Sequence, residues 1–358
     1  MKICHMTSAH YPEDIRIFHK ECTSLAEAGH EVYLVTCGES YTKNNVNIVG
    51  VGEIPGNRIK RMVFGARIVY KKALELDCDV YHFHDPELLP YGLKLKRKGK
   101  RVIFDSHEDI PAQIEDKYWI PRVLRAIVSS MYRRYETKKV ARFDAVVAAT
   151  QYIAEQFYGR AKKVVTVNNY PILGDIEFQS KPFAERDANV CYAGGISEIR
   201  GEKVMVDAMK NVDGTLILAG DIPEKPYGEG CGNVKYLGRI NREQVNELYK
   251  ESVVGLCVLL PTGNYINSQP IKVFEYMAAG LPIVASDFDA WSQYIEGAGI
   301  QVPANNPEKT AEAIQYLLDH RQEAQQMGQC GRKKMEKLYV WESEARTLCE
   351  LYDSLCHA

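Results

Sequence analysis

At 358 residues the chain exceeds one ordinary domain of roughly 100–200 residues and is expected to form about two. With 46% hydrophobic, 26% charged and 10% aromatic residues it lies in the globular range, which excludes a disordered, collagen-like or low-complexity protein. The net charge of −2 hides an asymmetry: residues 1–170 hold 27 lysines and arginines against 20 acids, a balance of +7, which leaves −9 for the rest. An anionic partner suits the first half, and the acidic second half argues against nucleic acid running along the whole molecule.

In chain order, residues 2–7 read as a strand and 13–28 as a helix with Phe18, Cys22 and Leu25 on one face and Gly29 as its stop. Further strands are expected at 31–37, 47–51, 80–83, 101–105, 145–148 and 163–167, most separated by helix-length segments, as in a parallel β/α sheet. Residues 171–187 lack periodicity and read as a linker. The alternation restarts with strands at 189–193, 214–219, 234–237, 253–259, 282–286 and 299–302, and with helices at 202–210, 242–250, 271–279 and 309–325. The fold class is therefore α/β, with two Rossmann-like β/α/β domains that would bind ligand at the carboxyl ends of their strands. No run reaches the roughly 18 apolar residues of a membrane span, and the start MKICHMTSAH lacks the layout of a signal peptide. Ten scattered cysteines without a C-x-x-C suit reduced thiols, so a cytoplasmic protein is expected.

Candidate chemistry gathers at predicted strand ends. His82, His84 and Asp85 end one strand, and Asp105, His107, Glu108 and Asp109 end the next. The H-x-H spacing puts His82 and His84 on one face; with Asp85, His107 and Asp109 they admit a metal-hydrolase reading, a strand-capping reading, and recognition of a hydroxyl-rich ligand. The loop 8–16 holds His10 and Arg16 where a dinucleotide enzyme would carry G-x-G-x-x-G, and that motif does not occur. In the second half, Gly194 and Gly195 precede Arg200, a turn that lets backbone approach phosphate oxygens. A helix beginning near Pro270 would aim free N–H groups at a diphosphate. Glu275, one turn in, suits the vicinal hydroxyls of a ribose.

The stretch 270–285 resembles the donor-binding helix of glycosyltransferase family 4, retaining enzymes of the GT-B fold, of the kind found in bacterial cell-surface polysaccharide assembly. Supporting matches run along essentially the whole chain: 8–16 with 25–32, His84-Asp85-Pro86-Glu87-Leu88, Asp105-Ser106-His107-Glu108, 192–201, Gly220-Asp221 and 234–239. The resemblance implies two domains facing across a cleft, with 1–170 taking the acceptor and 188–328 the nucleotide-sugar, and a tail at 329–358 crossing back to the first domain. It implies transfer of a glycosyl group from a nucleoside diphosphate to a hydroxyl of a glycan or lipid-linked acceptor, with no cofactor and no metal. It gives catalytic roles to His107, Arg200 and Glu275. The donor side becomes Gly194, Gly195, Arg200, Lys203, Gly238, Asn267, Pro270, Ile271, Lys272, Val273 and Glu275, and the acceptor side His10, Arg16, His84, Asp85, His107 and Glu108. Two positions depart from the pattern. Asn267 stands where the first glutamate of the E-x7-E motif belongs, and Gly195 with Arg200 replaces an arginine–lysine pair. The first departure keeps a non-catalytic nucleotide-sugar-binding or partner-stabilising subunit open as an alternative.

Residues 117–142 interleave eight basic residues and one acid, Glu136, with apolar positions such as Ile127 and Met131. They read either as a core helix with a basic edge or as an interfacial helix on anionic lipid, which would place the protein at the inner face of the cytoplasmic membrane.

Overall fold

The computed structural model describes residues 1–53, 61–116, 120–178 and 181–356. The chain forms two compact units, Met1–Asn169 with Trp341–Ala358, and Tyr170–Val340. The first unit's sheet comprises β1 (Lys2–Met6), β2 (Glu31–Thr36), β3 (Tyr41–Lys43), β4 (Val46–Gly50), β5 (Val80–Phe83), β6 (Arg101–Ser106), β7 (Ala145–Ala148) and β8 (Val164–Thr166). Their order is β3-β4-β2-β1-β5-β6-β7-β8, parallel throughout except for the β3–β4 hairpin. That hairpin turns on Asn44 and Asn45, both at positive φ, the conformation a tight two-residue hairpin requires and asparagine tolerates. The second unit's sheet comprises β9 (Asn189–Ala193), β10 (Thr215–Ala219), β11 (Val234–Gly238), β12 (Val254–Cys257), β13 (Ile283–Ser286) and β14 (Gly299–Val302), all parallel in the order β11-β10-β9-β12-β13-β14.

Leaving aside the β3 edge, both sheets follow the doubly wound order in which strand direction of travel reverses beside the first strand. The reversal lies between β1 and β5 in one unit and between β9 and β12 in the other. Connections on opposite faces part there, so the carboxyl ends of those strands open a crevice. Central strands β5, β7, β12 and β13 are buried along their whole length, because helices cover both faces of a parallel sheet.

The segment read as a linker is packed: Ile176 and Phe183 are buried in the second unit's core, and the buried Arg186 donates to the Ser252 carbonyl at 2.7 Å. At the other end, helix Arg321–Leu338 belongs to the second unit, while Trp341–Cys356 belongs to the first, with Leu348, Leu351, Tyr352 and Leu355 buried. The helix expected over 309–325 is two helices, Pro307–Asp319 and Arg321–Leu338, broken at His320.

Candidate functional site

In the second unit, glycine ends three neighbouring strands. Gly194 follows β9, Gly220 follows β10 and Gly238 closes β11; the Gly194 N–H donates to the Ala219 carbonyl and the Gly220 N–H to the Gly238 carbonyl. A Cβ on Gly220 would lie 1.8 Å from the Gly194 carbonyl oxygen, so only glycine lets these strand ends meet. The Arg200 guanidinium lies over Gly195, where a Cβ would sit 2.2 Å from its Nη1. Arg200 thus fills the space that a side chain at 195 would use. Its Nε donates to the Tyr265 hydroxyl at 3.4 Å, and the Tyr192 hydroxyl donates to the Gly195 carbonyl at 2.9 Å.

Helix Ile271–Ala279 starts at Pro270 with no side chain capping it, which leaves first-turn N–H groups and the positive dipole end for an anion. Lys272 in that turn lays its stem beside Gly194, and its ammonium pairs with Glu275. Glu275 is 6% exposed, accepts from the Tyr249 hydroxyl at 3.0 Å and faces Arg242 Nη1 at 3.4 Å. Burial would raise its carboxyl, but the charges of Lys272 and Arg242 outweigh that and hold it below the ordinary value. The result is a buried carboxylate kept ionised beside an anion-accepting helix end. Val273 packs in the core, Ile271 is exposed, and Asn267 is exposed just past the short helix Gly263–Ile266. Lys203 is engaged elsewhere, with Asp207 at 3.0 Å and the Tyr227 hydroxyl at 2.7 Å.

The first unit's strand ends are filled instead of open. Asp105, fully buried, takes a two-pronged contact from Arg16, Nε at 3.0 Å and Nη2 at 2.9 Å, and a hydrogen bond from His84 Nδ1 at 2.8 Å. Burial would raise this carboxyl, yet Arg16 holds it well below the usual range. From Asp105 a chain runs inward: His84 Nε2 meets His5 Nδ1 at 3.0 Å, His5 Nε2 meets the Tyr352 hydroxyl at 3.2 Å, and that oxygen meets His82 Nδ1 at 2.9 Å. Burial depresses the affinity of all three imidazoles for a second proton. With neutral rings and an ionised Asp105 the chain has one consistent direction, each histidine donating from Nδ1. Tyr352 donates to His5 and accepts from His82.

Arg16 also donates to the Val167 carbonyl at 2.9 Å and pairs with Glu21 at 3.1 Å, so its guanidinium is turned inward and only 6% exposed. Glu21, His82, His84 and Asp105 bring ligand atoms within 4.8 Å of one another. Both His84 nitrogens are already hydrogen-bonded, and Arg16 already neutralises Asp105, which makes this donor set a poor cradle for a cation.

Nearer the surface, Asp85 accepts from the Thr7 hydroxyl at 2.8 Å and the Ser8 N–H at 2.6 Å. His10 bridges Asp14 at 3.3 Å and Asp85 at 3.5 Å, and its ring stands edge-on to His107, 5.2 Å between centroids. His107 is half-buried, 3.7 Å from Asp105, and Glu108 beside it is exposed. The structure therefore gathers His10, His84, Asp85 and His107 at one sheet edge. Arg16 anchors them from below.

Residues 16–169 match the family model for Glycosyltransferase Family 4, and residues 187–320 match that for Glycosyl transferases group 1. The chain belongs to glycosyltransferase family 4. The D-rhamnosyltransferase WbpZ of Pseudomonas aeruginosa is 22% identical to this glycosyltransferase over 300 residues, 76% of this chain and 73% of that one. Among solved structures, a sucrose-phosphate synthase from Thermosynechococcus elongatus superposes with a TM-score of 0.79 at 17% identity, covering 99% of both chains. Anabaena Alr3699/HepE, in complex with UDP and glucose, gives 0.75 at 14% identity over 99% of this chain and 100% of that one. The fold is accordingly GT-B, two Rossmann-like α/β units, and the enzyme transfers sugars.

Several groups at the glycosyltransferase's strand ends were not singled out as site residues in the sequence. Gly220 appeared there only within a family match. Arg242 and Tyr249, which hold Glu275, lie on a helix whose only local signal is the Asn241–Gln244 capping box at its start. His5, Glu21 and Tyr352 come from segments that read as ordinary strand and helix.

Proposed function

We propose that this glycosyltransferase retains anomeric configuration as it moves a sugar from a nucleoside diphosphate to a hydroxyl of a glycan or lipid-linked acceptor. One observation carries the reading: the glycine-floored strand ends, Arg200 above them and the uncapped helix end at Pro270 converge beside the buried, ionised Glu275. Glu275 accepts from the ribose hydroxyls, as its unshared lone pairs allow. The diphosphate lies against the N–H groups of Ile271 and Lys272, with Arg200 and the Lys272 ammonium as counter-charges, and no metal ion is required.

As the bond from anomeric carbon to phosphate oxygen breaks, negative charge grows on the diphosphate and these groups stabilise it. The acceptor oxygen bonds the same carbon from the same face and its proton passes to the departing phosphate, so no side-chain nucleophile is needed. His107, with His10, His84 and Asp85 near it, supplies the polar lining for the acceptor. The UDP and glucose bound to Alr3699/HepE support a nucleotide-sugar donor.

Thermal shift against UDP, GDP and ADP tests the donor half, since binding raises stability by mass action. Arg200→Ala should lower turnover of the cognate donor more than its binding, and Arg200→Lys should restore it in part. Failure of every nucleotide to stabilise the protein would refute the reading.

A further inference from the structure

Helix Arg122–Val140 in the first unit wears its polarity inside out. A helix lying on a sheet normally buries its apolar stripe. Here the inward positions are Ser129, Tyr132, Glu136 and Val140: Ser129 donates to the Pro111 carbonyl at 3.1 Å, and Glu136 is held by Arg160 at 2.6 Å. Those two bonds fix the helix's rotation and leave its apolar side chains in solvent, with Val123 82% exposed, Met131 65%, Ile127 53% and Leu124 47%. The core-helix reading of this stretch is therefore set aside. Lys117 and Trp119 of the same stretch lie outside the described residues.

Arg122, Arg133, Arg134 and Lys138 rim the apolar patch, all exposed, while the helix's one acid is the buried, neutralised Glu136. We propose that this face rests on an anionic lipid bilayer, the apolar side chains entering the headgroup boundary and the rim meeting phosphates. Charge decides the occupant. A second copy would set the cationic rim against itself, and a nucleic acid would leave the apolar patch uncovered. No helix among the described residues is long and apolar enough to cross a membrane, so the contact is interfacial.

Topology gives it a direction. β6 ends at Ser106 on the sheet edge that carries His84 and His107, and the chain must return to the opposite edge to begin β7 at Ala145. The helix makes that descent, so its exposed first turns lie toward the edge with the acceptor-side residues. That lipid contact favours a lipid-linked acceptor rests on the function proposed above; the contact itself does not.

The test is co-sedimentation of the full chain with vesicles of phosphatidylcholine alone or mixed with phosphatidylglycerol, at low and high salt. Binding is expected only with the anionic mixture and to fall with salt. Arg133→Glu with Arg134→Glu should weaken it by about tenfold or more, and Ile127→Glu with Met131→Glu should abolish it. Equal sedimentation of wild type and variants, or no sedimentation at all, would overturn the proposal. So would a concentration-dependent dimer that the Ile127/Met131 variant abolishes, which would assign the face to a second copy. Thermal shift with nucleotide, expected to be equal in all proteins, checks folding and separates failure here from failure of the donor assignment.

Discussion

The two units are built on the same strand order, yet their strand ends do opposite things. In the second, glycine backbone terminates β9, β10 and β11, and the charged groups that matter, Arg200, Lys272 and Glu275, stand around the space this leaves. In the first, Asp105, His84, His5 and His82 occupy the corresponding edge and its interior and are tied into one chain by Arg16 and Tyr352. Among the described residues, seven of eight histidines fall in the first unit. The topology makes a crevice, and the residues that end the strands decide whether bare glycine backbone or a network of polar side chains forms its floor.

Acid should separate the units most sharply. His5, His82 and His84 have folded affinities for a proton lowered by burial, so the stability they confer is present above about 6.5 and lost as pH falls below it. Glu21, whose carboxyl burial pushes well above the ordinary value, acts in the opposite sense. His10 is raised, chiefly by Asp14, and acts in another window: its contribution is complete below about 6.5 and fades as pH rises through its folded value. Three imidazoles against the Glu21 carboxyl leave the first unit losing stability as pH falls below about 6.5. Hydrogen exchange at pH 7 and 5.5 should show the first unit opening while the second keeps its protection; equal loss in both would break the comparison.

Glu275→Ala should cost about 1.5–3 kcal/mol of nucleotide affinity by calorimetry, as for a hydrogen bond to a charged group, in a protein that still folds. The paired hydroxyl deletions sharpen the contrast. Tyr352→Phe strips His5 of a donor and His82 of an acceptor inside the first unit and should lower its unfolding free energy by about 1–3 kcal/mol without changing nucleotide binding. Tyr249→Phe frees the Glu275 carboxylate and should change nucleotide binding. If both behave alike, the polar network and the donor site are not separable.

Gly195→Ala places a methyl group against the tip of Arg200, a flexible end that can swing aside, so stability should change by less than about 1 kcal/mol. Turnover should still fall, because the guanidinium leaves its post. The smallest effect is expected at Asn267: exposed and past a helix end, it should give no gain in activity as Asp or Glu. A several-fold rise with Glu would mark it as a weakened form of the usual carboxylate.

Strand positions were legible because buried parallel strands are short apolar runs between turn signals, and β5, β7 and β9 begin and end where the sequence places them. The antiparallel β3 was missed although Asn44-Asn45 was there to mark a hairpin. The stretch 171–187 misled because it packs through isolated side chains, Ile176 and Phe183, that make no period. Of the site, the parts with local spacing were readable: the paired glycines, Arg200, and Glu275 inside its helix. The histidine network was not, since its partners are drawn from β1, β5, β6 and the last helix. No local pattern can announce a hydrogen bond between residues 82 and 352.

Tyr352 also sets an order of events at the ribosome. The second unit is one continuous stretch, Tyr170–Val340, that can fold as it emerges, whereas the first is interrupted by it and receives its last helix at the end. At about 5–20 residues per second, the intervening stretch takes roughly 10–35 s to synthesise. For that time the nascent first unit has His5 and His82 beside an unfilled groove, without the hydroxyl that joins them. A truncation that spares every strand but removes this helix should therefore leave the second unit intact and the first with an unsealed core.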